Sequence, residues 1–191
     1  MRGDIVYFMK PIPSHPKDLH RFFMRWSGTQ KLLFGALMAA LAAILQSAGG
    51  LLPGVGFLIS PFTTAPILLV ALVSLRTSVL SYFLTILLLL FIEPTELFIF
   101  PFTTGLLGFG LGFAFHFLNR RLEILIANGV LLTIGICIPL YGLGFPVFGP
   151  ALSSFNLSAL AIIFGFSFFY SLIWLEFSFY FLNKIKRILG V

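Results

Sequence analysis

Six apolar blocks dominate the sequence, each near the ~20 residues that a helix needs to cross about 30 Å of hydrocarbon. They lack the two-residue alternation of outer-membrane strands, so the spans are predicted to be helical. A water-soluble fold is excluded because 59% of the 191 residues are hydrophobic and 9% are charged, against about a quarter charged in soluble domains. The sequence predicts an all-α integral membrane protein with spans at about 32–50, 58–75, 79–92, 97–118, 122–142 and 157–182.

The twelve Lys and Arg residues predict how these helices are oriented. Six precede residue 32, three follow the last span, and the others are Arg76, Arg120 and Arg121. If the amino terminus is cytoplasmic, all twelve Lys and Arg residues face the cytoplasm. The only charged residues in the external loops are then Glu93 and Glu96. This agreement with the positive-inside rule predicts that both termini are cytoplasmic. Clustered beside apolar blocks, the basic residues indicate topology and membrane lipid contact and do not indicate a nucleic-acid partner.

The chain divides into a basic amino-terminal segment at 1–31, a six-helix transmembrane domain at 32–187 and a tail at 188–191. After Pro16, apolar residues recur at helical spacing while basic residues occupy the other sides. This pattern predicts a short amphipathic helix that lies on the inner leaflet.

The tetrapeptide Pro-Phe-Thr-Thr occurs twice, at 61–64 and 101–104, each time at the predicted external start of an inward-running helix. The repetition suggests that spans 2–3 and 4–5 are related hairpins, although chance is the alternative. Ser60 and Pro61 would begin a helix only about 23 Å long, which is shorter than the hydrocarbon layer is thick. The start of this helix would therefore lie below the outer surface of the membrane. Free N–H groups and the four threonine hydroxyls would then line an outward cup. In the alternative, the hydroxyls bond only backbone carbonyls. The four threonines are Thr63, Thr64, Thr103 and Thr104.

Three further polar residues are candidates for substrate binding. Glu93 and Glu96 flank Pro94 in the shortest external loop and would attract a cation, whereas the helix starts favour an anion. The charge of a ligand is therefore left open, and plain solvated loop charges are the alternative. Asn156 ends a Gly- and Pro-rich external loop that suits a mobile lid or a simple connection.

Helix–helix contact sites are indicated by small residues. The first span carries two rows with a four-residue spacing, Gly35-Ala39-Ala43 and Ala36-Ala40, which would bind a partner subunit or pack within the bundle. Gly108 and Gly112 form a comparable row, for which internal packing is favoured. Within the sixth span, Glu176 needs a partner at similar depth, and the candidates are His116 and Arg120.

Catalysis is not indicated. The sequence lacks Gly-x-Ser-x-Gly, His-Glu-x-x-His and Gly-x-x-x-x-Gly-Lys-Ser/Thr, and no span holds a pair of acidic residues. The single cysteine, Cys137, excludes an intrachain disulfide and a cysteine-based metal motif. We therefore predict no enzyme activity, no metal and no cofactor.

Over about residues 32–187 the chain resembles the substrate-binding S components of energy-coupling factor transporters, which are six-helix bacterial membrane proteins for vitamins and related micronutrients. The resemblance consists of helix number, orientation, the Ala36-Leu37-Met38-Ala39-Ala40 row and the Gly49-Gly50-Leu51-Leu52-Pro53-Gly54 loop. It implies a bacterial plasma membrane location, a transmembrane coupling subunit with ATPases that docks on Ala36 and Ala40, and a small-molecule substrate held in the outward cup. No vitamin-specific signature is present.

Two other functions remain open at this stage. A non-transporting assembly or morphogenesis protein would use the small-residue helix faces to recruit other proteins, and would bind no small molecule. A self-sufficient permease would be expected to carry a clearer charged relay through its spans than Glu176 alone provides.

Overall fold

The computed structural model describes residues 25–145 and 156–189, which are helical almost throughout and contain no β-strand. The α-helices are α1 (Gly28–Leu51), α2 (Gly56–Ile59), α3 (Thr64–Val73), α4 (Leu75–Ile92), α5 (Thr104–Phe117), α6 (Arg121–Cys137) and α7 (Leu157–Leu189). Short 3-10 segments occur at Ser60–Thr63, Pro94–Phe98 and Phe100–Phe102, and a π-helical turn at Ile138–Gly142. Apart from Arg25 and Trp26, the predicted amphipathic helix lies outside the described residues.

Six stretches of the described chain are long and apolar enough to cross a membrane, which confirms the predicted number. They are Gly28–Leu51, Gly56–Val73, Leu75–Ile92, Pro94–Phe117, Arg121–Gly142 and Leu157–Ile185. Large apolar side chains project outward from them, as Leu58 and Phe91 do, and suit contact with lipid. We call the end of the bundle that holds Glu93 and Glu96 the acidic end, and the end that holds Arg76, Arg120 and Arg121 the basic end. The side of the membrane that each end faces stays a prediction.

Local capping explains where the first and third spans begin. Ser27 and Gln30 form a capping box, so α1 starts at Gly28, a few residues before the predicted boundary. Ser74 alone separates α3 from α4, and its hydroxyl accepts the Thr77 N–H at 3.4 Å. Arg76 therefore lies in the first turn of α4 and not in a connecting loop.

The second span differs from the prediction. Its helical backbone begins at Gly56, runs through the 3-10 segment Ser60–Thr63 and continues as α3. Ser60 has helical backbone angles and gives no side-chain cap, so the prediction of a helix start at Pro61 with free N–H groups is wrong. The turn before it needs glycine, because Gly54 has a φ of 80° and a Cβ atom at Gly56 would collide with the Ala48 carbonyl.

Close helix pairs are built on small residues. Gly108 and Gly112 of α5 lie against α3, where a Cβ atom at Gly108 would be 2.7 Å from the Thr64 carbonyl oxygen and one at Gly112 would collide with Ala71. This confirms the predicted internal packing of that row. Since Thr64 and Thr104 begin the two helices and are hydrogen-bonded to each other, α3 and α5 run parallel from the acidic end.

Glu176 is paired at the basic end, but with a different residue from those predicted. Its carboxylate contacts Arg121 Nη1 at 3.1 Å, and the Arg121 guanidinium also lies 4.3 Å from the centre of the Phe179 ring. Arg120 pairs with Glu123, and His116 contacts the Ala71 carbonyl. The partner that the structure shows for Glu176 is therefore Arg121, which lies at the start of α6 and faces α7, and was not among the predicted candidates.

Candidate functional site

A chain of hydrogen bonds joins three polar side chains from the first and fourth spans near the acidic end. Thr104 Oγ1 donates to Gln46 Oε1 at 2.6 Å, and Gln46 Nε2 donates to Glu96 Oε2 at 2.6 Å. The side chains are buried, with Gln46 0% and Glu96 4% exposed. Such groups are costly to bury in a membrane protein unless their bonding capacity is used. Their meeting therefore marks this position as the leading candidate site.

Backbone geometry brings the Glu96 carboxylate to this position. Glu96 lies in the 3-10 segment Pro94–Phe98 that follows α4, and this tight turn directs it under the end of α1. Gly49, in the last turn of α1, leaves room for it: a Cβ atom there would be 2.6 Å from Glu96 Oε1. Glu93 lies beside the next glycine in the same way, since a Cβ atom at Gly50 would be 2.8 Å from Glu93 Cδ.

A cavity of about 200 Å³ adjoins this chain of hydrogen bonds. It is smaller than the roughly 300–1,000 Å³ typical of sites for drug-sized ligands, so it suits a compact solute. Its walls are mostly apolar, with a few polar groups among them. They are formed by Phe57, Ser60, Pro61, Glu96, Ile99, Thr103, Thr104, Leu132, Ile136, Phe166 and Tyr170.

The four predicted threonines are brought close together but have different surroundings. Thr64 donates to the Thr104 carbonyl at 3.2 Å, so the two Pro-Phe-Thr-Thr copies touch directly. Thr63 is fully buried and lies 3.5 Å from the Ala42 carbonyl, and Thr103 donates to the Ile99 carbonyl at 2.7 Å. Only Thr103 and Thr104 line the cavity. Three of the four hydroxyls thus interact with backbone carbonyls, as the alternative prediction states. Thr104 is the exception, because its hydroxyl donates to the Gln46 side chain.

Two other predicted binding residues are placed elsewhere. Glu93 does not line the cavity and accepts a hydrogen bond from Thr95 at 2.6 Å. Asn156 is exposed at the start of α7, where its side chain accepts the Ala159 N–H at 2.7 Å. Asn156 therefore caps a helix, and nothing in the described residues brings it into the cavity. Neither residue is among the described lining residues of this cavity, and a role for either in substrate binding stays a prediction.

Gln46 and Tyr170 were not predicted from the sequence. Gln46 could have been found, because it is an amide within an apolar span where an unpaired polar group is costly. Tyr170 could not, since the chain has many aromatic residues and only packing places this one beside Thr64 and Trp174, with which its hydroxyl interacts.

The predicted partner-binding residues of α1 separate into two groups. Gly35, Ala39 and Ala43 are buried within the chain; Ser81 donates to the Gly35 carbonyl at 2.9 Å and Thr85 to the Ala39 carbonyl at 3.3 Å. These three therefore pack against the bundle, which agrees with the alternative of internal packing, and partner binding by them stays a prediction. Ala36 is exposed and Ala40 is half-buried, so both remain on the outer side of α1.

Comparison of the chain with models of protein families, with characterised proteins and with solved structures finds no significant match.

Proposed function

We propose that this chain is the membrane-embedded, solute-binding subunit of a bacterial uptake transporter for a micronutrient or vitamin, energised by a separate ATPase module. The observation that carries the proposal is the cavity at the acidic end, walled by apolar side chains and by the buried Glu96 and Thr104. A lipid-facing scaffold has no need to bury a carboxylate beside a cavity and to hydrogen-bond a buried glutamine to it. A binding site does, because a few placed polar groups fix the orientation of a solute.

Packing below the cavity supports a binding subunit over a self-sufficient permease. Leu72, Leu111 and Phe115 belong to a continuous apolar core that fills the bundle between the cavity and the basic end. The cavity therefore has a closed inner end in this conformation. A solute bound there needs a large rearrangement to reach the other side, and a partner that hydrolyses ATP supplies the energy for such a change. The chain has no phosphate-binding loop of its own.

Ligand-dependent stabilisation tests the proposal. The purified protein in lipid nanodiscs is heated with each member of a panel of water-soluble vitamins and their precursors. We expect at least one compound to raise the unfolding temperature, because a ligand that binds only the folded state stabilises it by mass action. Thr103→Trp fills the cavity and should abolish this rise. Thr95→Trp is the matched control, since Thr95 is exposed and does not line the cavity, and it should preserve the rise.

Two results would overturn the proposal. One is that no compound in the panel stabilises the wild-type protein. The other is that a stabilising compound acts equally on wild type and on Thr103→Trp, since the solute would then lie elsewhere.

The partner is expected to contact the outer side of α1. Ala36 and Ala40 let a neighbouring helix approach closely, and leucine at either position would hold it away. Ala36→Leu should therefore reduce co-purification of a transmembrane subunit and its ATPases while ligand-dependent stabilisation is retained. Ala161→Leu, on the exposed side of α7, is the matched control. Unchanged co-purification in both Ala36→Leu and Ala40→Leu would exclude this docking surface.

A further inference from the structure

The charge of the solute can be inferred from the surroundings of Glu96, given the proposed binding function on which this inference rests. The Glu96 side chain is almost fully buried within the fourth span, and a carboxylate there is costly unless it is compensated. The described Lys and Arg residues lie near the starts of α1, α4 and α6 and at the end of α7, all at the basic end. In the described part of the chain, no cationic side chain lines the cavity.

The hydrogen bonds of Glu96 leave one of its two carboxyl oxygens without a donor from residues 25–145 and 156–189. The Thr104 hydroxyl donates to the Gln46 carbonyl oxygen, so the Gln46 amide presents its N–H group to Glu96. Glu96 Oε2 is therefore an acceptor. An ionised carboxylate accepts hydrogen bonds through both oxygens and donates none, and Oε1 receives no hydrogen bond from the described residues. This leaves acceptor capacity for a ligand that donates hydrogen bonds.

The nearby backbone contributes both signs of potential: the amino end of α5, at Thr103 and Thr104, is the positive end of a helix dipole, and the carboxyl end of α1 is a negative end that lies beside both glutamates. Glu96 and Glu93 lie against Gly49 and Gly50 in the last turn of α1, whose carbonyl groups form the negative end of the helix dipole. An anionic ligand at this end would meet two carboxylates and a helix carboxyl terminus. A cation would be attracted by all three.

The cavity walls favour an organic cation over a metal ion. Phe57, Phe166 and Tyr170 line the cavity, and aromatic faces attract organic ammonium groups. A divalent metal ion would require several oxygen ligands, but Glu96 is the one carboxylate among the lining residues that the structure describes. We infer that the cavity binds a compact organic ammonium ion, whose charged group contacts Glu96 Oε1 while its apolar part lies against the aromatic and aliphatic walls.

Three probes with one carbon skeleton test this inference: 3,3-dimethylbutan-1-amine, 3,3-dimethylbutan-1-ol and 3,3-dimethylbutanoate, which carry positive, zero and negative charge at pH 7. Dissociation constants are measured by calorimetry on the wild-type protein in nanodiscs made of uncharged lipid. We expect the amine to bind at least about tenfold more tightly than the alcohol, because a charge-assisted hydrogen bond replaces a neutral one. The carboxylate should bind most weakly.

Glu96→Gln should abolish the preference for the amine, because it keeps the shape of the side chain and removes its charge. Glu123→Gln, at the basic end, makes the same change in net charge and should leave the preference intact. The three-probe comparison on wild type needs no variant, so it decides the matter even if Glu96→Gln does not fold.

Equal binding of the amine and the alcohol, tighter binding of the carboxylate, or no detectable binding of the amine would each overturn the inference. So would a preference for the amine that persists in Glu96→Gln. The proposed function fails on a different result: the absence of stabilisation by every compound in the vitamin panel. A neutral vitamin that stabilises the wild-type protein but not Thr103→Trp would support the function and overturn the charge assignment.

Discussion

The two Pro-Phe-Thr-Thr copies have the same four residues and opposite roles. In both, a 3-10 segment precedes an α-helix, but the backbone differs at the third residue: Thr63 is helical, with φ −56° and ψ −27°, whereas Thr103 has φ −125° and ψ −94°. Thr63 and Thr64 of the first copy are fully buried and do not line the cavity, although Thr64 lies beside the cavity-lining Tyr170 of α7. Thr103 and Thr104 of the second copy line the cavity, and Thr104 contacts the Gln46 side chain. Identical sequence therefore does not fix the backbone at the third residue, and the neighbouring helices decide whether a hydroxyl serves packing or a site.

The contact between the copies explains how one supports the other. Thr64 donates to the Thr104 carbonyl, and the glycines of α5 let α3 approach closely enough for that bond. The first copy thereby holds the second in position under Gln46. Separate substitutions in the two copies can test this division.

Gly112→Leu should have the largest effect, because it forces apart the helix pair that carries both copies. A side chain at Gly112 collides with Ala71, and overpacking of a close contact costs about 1–3 kcal/mol or more. We expect a lower unfolding temperature and poor recovery of monodisperse protein. Gly165→Leu is the control, since nothing lies within 4 Å of a Cβ atom at Gly165. Similar stability of the two variants would show that α3 and α5 do not depend on this contact.

Thr104→Val should have the next largest effect and should alter both stability and binding. It leaves the buried Gln46 side-chain carbonyl oxygen without its hydrogen-bond donor, which costs about 1–3 kcal/mol in stability. It also removes the hydrogen bond that orients the Gln46 amide towards Glu96. Reversible unfolding in mixed detergent micelles measures the first effect, and calorimetry with the amine probe measures the second. We expect a loss of affinity of about fivefold or more. Unchanged affinity would remove Thr104 from the site.

Thr64→Val should have a smaller effect on stability than Thr104→Val. The Thr104 carbonyl that it serves belongs to a helical residue and keeps its backbone partner, and hydroxyl bonds between membrane helices average only about 0.6 kcal/mol. Affinity should change less than in Thr104→Val. A larger loss of affinity in Thr64→Val would reverse the roles assigned to the two copies.

Thr63→Val should have the smallest effect. Its hydroxyl lies 3.5 Å from the Ala42 carbonyl, at the long limit of a hydrogen bond, and valine has nearly the same shape. We expect a change in unfolding free energy within about 0.5 kcal/mol and no change in the Kd of the amine probe. A substantial loss of binding would show that the first copy also contacts the solute.

Hydropathy predicted the number of spans correctly because it acts locally, whereas the orientation predicted from charge stays a prediction. A block of apolar residues is long enough to span a membrane whatever its neighbours are, so six spans followed from the sequence. Helix boundaries that depend on backbone detail were not predicted. A helix start was predicted at Pro61, but the helical backbone runs through Ser60–Thr63, and the predicted loop between the second and third spans is the single residue Ser74.

The site was predicted only in part, because it depends on which spans meet. The threonines were identified from their repetition, but the burial that separates Thr63 from Thr103 is set by packing. Glu96 was expected in a solvated loop or over a ligand. Its position beneath the end of α1 required Gly49 and Gln46, about fifty residues earlier in the sequence, and no local pattern links residues at that distance.

We expect the second copy, and not the first, to line a cavity of negative potential that opens to the outside of the cell. Thiol modification of intact cells tests it most directly, with Thr103→Cys and Thr63→Cys each placed in a Cys137→Ser background. Cationic and anionic methanethiosulfonate reagents of matched size are added outside the cells. The account predicts that Thr103→Cys is modified, at least about tenfold faster by the cationic reagent because Glu96 attracts it, while Thr63→Cys is not modified. Equal modification of both positions, or faster reaction of Thr103→Cys with the anionic reagent, would contradict it.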